Sequence, residues 1–160
     1  MTALSMYNLT ASDGAVAQFA VGTEMNVKGA TYLYCKAAGT IAAFAACTLD
    51  NTFEAVEGTT TTSGAKPTAV AIPQFAVAND EYFWAPVGPF FLREDGETTF
   101  KVKAAASCVA SVKLYTTATA GVVDDAATDL VAGLLLTETI VGAEAADCIA
   151  VQRLVTNCQD

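Results

Sequence analysis

The chain has 160 residues, 53% of them hydrophobic and 16% charged, with no histidine and a formal net charge of −9. That length suits one domain with a real core, and charge this sparse argues against disorder. The missing histidine removes the imidazole base, the Ser-His-Asp and Cys-His nucleophile pairs and His-ligated zinc, while the acidic balance argues against a phosphate backbone as partner.

Residues 1–14 read as an N-terminal arm with scattered apolar groups, and 15–160 as a single β domain. The start of the chain has neither a basic region nor an apolar run of the kind a signal peptide needs. The longest apolar runs fall far short of the ~20 residues of a membrane helix. A soluble protein made in the cytoplasm is expected. Asn8-Leu9-Thr10 matches a glycosylation acceptor that is idle without a secretory route.

Short apolar or alternating runs, cut by Gly, Pro, Asn and Asp, recur along the rest of the chain. Residues 15–21 predict a first strand and 24–28 a second. In 31–36 Tyr32 and Tyr34 alternate with Leu33 and Cys35, so a strand with two distinct faces is expected. Residues 43–49 and 52–56 predict a hairpin closed at Asp50-Asn51. The Thr- and Gly-rich stretch 57–67 reads as a surface loop.

Pro73 marks an edge or bulge in 68–77. Pro86 and Pro89 forbid a helix in the aromatic segment 82–92, which predicts two short strands bent at Val87-Gly88-Pro89. Residues 98–103, 107–115, 131–141 and 148–155 supply further strands, with short helices at 139–147 or 104–109 as alternatives. About ten strands at roughly ten-residue spacing predict an all-β fold, a compact β-barrel or β-sandwich.

Few side chains suggest chemistry. Glu94-Asp95-Gly96-Glu97 lacks the ligand ladder of a calcium loop and reads as a turn. Asp124, Asp125 and Asp129 form a better anionic cluster, read as a surface turn ahead of a cation site. No glycine-rich phosphate loop or G-x-S-x-G is present. The five cysteines, Cys35, Cys47, Cys108, Cys148 and Cys158, form no C-x-x-C and read as buried free thiols, with Cys35–Cys47 the nearest candidate for a bridge. Lys101, Lys103 and Lys113 suggest either a solvent face or a small basic patch for an acidic partner protein. Phe83, Trp84, Phe90 and Phe91 suggest core, a protein interface or a sugar-stacking platform. Neither a cofactor, a metal nor a catalytic residue is expected.

Three stretches taken in order carry a resemblance. They are Gly22-Thr23-Glu24 with Tyr32-Leu33-Tyr34-Cys35-Lys36-Ala37-Ala38-Gly39-Thr40-Ile41, then Ala69-Val70-Ala71-Ile72 through Asn79-Asp80-Glu81-Tyr82-Phe83-Trp84-Ala85-Pro86-Val87-Gly88, then 104–126, centred on Leu114-Tyr115-Thr116-Thr117-Ala118-Thr119-Ala120-Gly121-Val122-Val123-Asp124-Asp125. Together they resemble the small capsid decoration (cement) proteins of tailed bacteriophages. The resemblance implies a virion protein on the outer surface of the head that contacts the major capsid protein and itself, as a homo-trimer ahead of a dimer. Leu4, Met6, Tyr7, Leu9, Phe90 and Phe91 are the expected capsid or subunit contacts. The alternative is a carbohydrate-binding or adhesin-like β-module, such as a head fibre, using Tyr82–Trp84 and Phe90–Phe91.

Overall fold

A computed structural model describes residues 8–63, 67–91, 100–126 and 128–156. Strands β1 (Glu24–Val27), β2 (Ala30–Ala37), β3 (Cys47–Leu49), β4 (Glu54–Glu57), β5 (Val70–Ala71) and β6 (Tyr82–Pro86) make one six-stranded sheet, interrupted in sequence by a single helical turn, α1 (Thr60–Ser63). Its order is β1-β2-β4-β3-β5, with β6 on β2. A bond from Ile72 N to Pro86 O (3.1 Å) draws the β5 and β6 ends together, so the sheet curls into a half-barrel. Strands β7 (Phe100–Ala104), β8 (Leu114–Thr116), β9 (Val123–Asp124), β10 (Leu130–Leu136) and β11 (Glu144–Thr156) close a second sheet on itself as a barrel in the order β10-β11-β7-β9-β8. Closure leaves that sheet no free edge. The all-β expectation holds.

The alternation in β2 works as the sequence predicts, but both faces are covered. Leu33 and Cys35 pack with Ile41, Val77 and Phe83 in the core of the first sheet. Tyr34 on the other face lies 4.9 Å, centroid to centroid, from the Trp84 ring and 5.4 Å from Phe19. Residues 15–21 are the cover for this face and not the strand their pattern suggests. Tyr34 Oη donates to the Asp13 carboxylate (2.8 Å) and accepts from Gln18 N (3.1 Å), which pins the segment across the aromatic face. Val16 is left 71% exposed, as an irregular cover allows and a core-facing strand position does not.

Burial, with Asp13 beside it, pushes the Tyr34 phenol up to about 12 from an ordinary value of 10.0. The unfolded chain gives up this proton first, so the contribution of Tyr34 to stability is complete below the unfolded value and is lost as pH rises towards the folded one. Urea midpoints measured across that window are expected to fall more steeply for the native sequence than for Tyr34→Phe. Parallel curves for the two proteins would refute this.

The hairpin of β3 and β4 forms where Asp50-Asn51 predicts it. The Asp50 carboxylate accepts from Thr52 N (2.8 Å) and Glu54 N (3.0 Å), so one side chain satisfies the turn. Both alternative helices are absent. Residues 144–147 belong to β11, which is longer than predicted, and beyond β7 the chain turns through Ser107 at a positive φ of 69°. The 57–67 loop contains α1, whose Ser63 is fully buried.

The two sheets are joined by main chain on two flanks. On one flank Lys103 N donates to Phe44 O (2.8 Å), Ala46 N to Gly121 O (2.9 Å) and Gly121 N to Gly58 O (2.9 Å). The Gln74 amide there pairs with both the N–H (2.8 Å) and the carbonyl (3.0 Å) of Lys101. On the other, Phe90 and Ala150 exchange both bonds (2.9 and 2.8 Å), and Leu154 N donates to Val87 O (2.9 Å). Val70 and Ile72 of the first sheet complete the barrel core around Leu114, Leu134 and Leu154. No helix among the described residues is long and apolar enough to cross a membrane.

Candidate functional site

The expected contact residues separate by strand parity and by position. Leu4, Met6 and Tyr7 lie outside the described residues. Leu9, at the root of the arm, and Phe91 line one groove of about 220 Å³ together with Val27, Tyr32 and Phe100. Leu9 is half-buried and Phe91 is 55% exposed. Phe90 is a core residue, which corrects its reading as a contact. It is fully buried, its ring is 4.3 Å from that of Phe100, and its backbone is tied to Ala150. Successive residues in an extended chain point to opposite sides, so Phe90 turns inward where Phe91 turns outward.

The groove is lined, among the described residues, mainly by apolar side chains, with one cation, Lys28, at the wall. It adjoins β1, which pairs with β2 on one side. Such a place can bury an apolar side chain or add a strand. Among the described residues that line it there is no serine, cysteine or carboxylate.

The aromatic platform does not form. Phe83, Trp84 and Phe90 are buried, leaving Tyr82 half-buried and Phe91 exposed. Sugar stacking needs open ring faces, so the observation counts against the glycan-binding alternative.

The anionic cluster divides. Asp129 is buried beneath α1, 3.1 Å from Ser63 Oγ, which in turn is 3.2 Å from Thr116 Oγ1. Sequence reasoning missed this polar link between the two sheets, because Ser63 sits in a run that reads as surface loop. Asp124 and Asp125 are joined instead by Cys108. The chain's own donors reach these carboxylates: Val109 N bonds Asp125 (2.9 Å) and Cys108 Sγ lies 3.5 Å from Asp124 Oδ1. Burial first, and the Asp124 carboxylate second among the raising influences, push the Cys108 thiol up. Glu94, Asp95, Gly96 and Glu97 lie outside the described residues.

Cys35, Cys47, Cys108 and Cys148 are free and buried, so the Cys35–Cys47 bridge does not form. Desolvation raises all four thiols, as expected of packed hydrophobes. Lys101 and Lys103 both point outward from β7, and Lys101 pairs with Asp147 at 3.0 Å. No known protein family, curated protein or solved structure matches this chain.

Proposed function

We propose that this chain is a structural virion protein of a tailed bacteriophage. It binds the outer surface of the head, bridges major capsid subunits and stabilises the shell against the pressure of packaged DNA. The carrying observation is the meeting of Leu9 and Phe91 in one apolar groove at the root of the arm. Two residues far apart in sequence, both expected at a contact, share a surface fit for burial against a partner.

The rest of the molecule suits the role. A protein that braces a lattice needs a stiff body and surfaces to bind with, and two sheets fused along two flanks provide the first. Many copies on one shell multiply modest contacts, so no single joint has to be tight. The stretch 104–126, which carries most of the resemblance, runs from the end of β7 through β8 and β9 and so forms one wall of the barrel.

Mass spectrometry of gradient-purified particles is expected to find the protein as a stoichiometric component. Deleting residues 1–12 is expected to leave a folded protein that no longer decorates heads, and Phe91→Asp to reduce occupancy in the same assay. Absence of the native protein from particles, or full occupancy by the truncated form, would overturn the reading.

A further inference from the structure

We infer that the outer edge of β1 takes an extended segment of a partner protein as one more strand, with an apolar side chain in the adjoining groove and a carboxylate at Lys28. The inference rests on the reading of that groove as a contact surface and adds what the surface recognises. Strand β1 joins β2 through a two-residue turn at Lys28-Gly29, both at positive φ (51° and 82°). The register decides which main-chain groups face β2. Tyr34 N donates to Thr23 O (2.9 Å), and bonded residues alternate along an antiparallel ladder, so Met25 and Val27 turn their N–H and C=O towards β2. Glu24 and Asn26 turn theirs away. Thr31, opposite Asn26, accordingly bonds Pro89 O (3.2 Å) and Val87 N (3.0 Å) on the other side of β2. Among the described residues no main-chain partner meets the outward groups of Glu24 and Asn26. Strand β1 carries neither the proline nor the bulge by which an edge is ordinarily closed, and none of its residues is buried. Its one charged side chain, Glu24, is committed to Arg153.

Three features define the occupant. The outward N–H and C=O groups of Glu24 and Asn26 match an extended backbone, which is the chemistry of strand addition. Side chains of an added strand alternate, so every second one lies on the face of Met25 and Val27. Val27 lines the groove together with Leu9 and Phe91, so an apolar residue at those positions is covered there. Lys28, exposed at the end of the strand, makes no ion pair among the described residues, on a chain of net charge −9. A cation so placed favours a carboxylate on the incoming segment and opposes a lysine. The partner segment is therefore extended, apolar at alternate positions and acidic where it passes Lys28.

The test uses the full-length protein and synthetic peptides of about ten residues, alternating Val with Thr and carrying Asp, Ser or Lys at one end. Binding is expected to fall in the order Asp, Ser, Lys, with about tenfold between the first and last at low salt, and Lys28→Glu is expected to invert that order. Asn26→Pro removes an outward N–H and no bond to β2, and is expected to weaken every peptide about tenfold or more. Asn26→Ala is the control, since it loses the same side-chain bond to Gly29 N and keeps the N–H. In the native protein, which needs no variant to fold, amide exchange at Glu24 and Asn26 is expected to slow about tenfold with the Asp peptide, while Met25 and Val27 stay as they were. No peptide binding, binding indifferent to Asn26→Pro, unchanged exchange at Glu24 and Asn26, or an unaltered order in Lys28→Glu would each overturn the inference. So would a dimer of the native protein that binds no peptide and that Asn26→Pro dissolves, which would assign the edge to a second copy. Absence of the protein from phage particles would overturn the head-binding reading alone, because the peptides report on the groove without heads.

Discussion

Gly88→Ala is expected to be the most damaging small substitution in the chain. Gly88 has φ of +80°, where an L side chain is strained, and an added Cβ would stand 2.4 Å from Gln152 O and 3.0 Å from Ala150 Cβ. The nearer atom is backbone, and it belongs to the strand that the neighbouring residues grip through the Phe90–Ala150 and Val87–Leu154 bonds. No side-chain rotation relieves the overlap, so the two sheets must part locally or the turn must deform. A loss of about 3 kcal/mol or more is expected, lowering the melting temperature by roughly 6–12 °C for a chain of this size. Gly142→Ala is the control, since its Cβ would meet nothing within 4 Å, and should be near neutral. Equal melting temperatures for the two variants would show that the flank at Gly88 yields more readily than the contact distances imply.

Trp84→Ala is the second large effect. The indole is buried on β6, with ring centroids 4.9 Å from Tyr34 and 5.3 Å from Phe19, so truncation opens a cavity against the irregular 15–21 cover. Large aromatic-to-alanine changes in a core cost about 3–5 kcal/mol. Trp84→Phe keeps most of the volume and should lose less than half as much. As Trp84 is the sole tryptophan, its emission in the native protein should be that of an apolar site and move to the red on urea unfolding. A solvent-like emission from the folded protein, or an alanine variant as stable as the phenylalanine one, would contradict the packing described.

The strands that were legible in the sequence owe their signal to local physics. Alternation marked β2, turn chemistry at Asp50 marked the β3–β4 hairpin, and Phe100 with Val102 marked β7. Strands β5 and β9 are two residues each, too short to show any period. The pattern in 15–21 misled because a segment that covers an aromatic face also carries scattered apolar residues. Phe90 and Phe91 were grouped by composition, whereas an extended backbone sends them to opposite sides. The join between sheets was hidden for another reason. It is made of N–H and C=O groups that every residue possesses, and its one trace is the placing of glycines at 88 and 121, where a side chain would meet the opposite sheet. The groove of Leu9 and Phe91 was half legible, through its residues but not through their meeting.

The double join also governs how the molecule carries load. A tether between the sheets on one flank alone would act as a hinge, and a pull on either sheet would peel its bonds one at a time. With Lys103 and Gly121 bonded to the first sheet from β7 and the β8–β9 link, and Ala150 and Leu154 from β11, a force between the sheets is spread over several strands of the barrel. The bonds share the force in parallel, so the body transmits strain from a contact on one sheet to a contact on the other with little internal give.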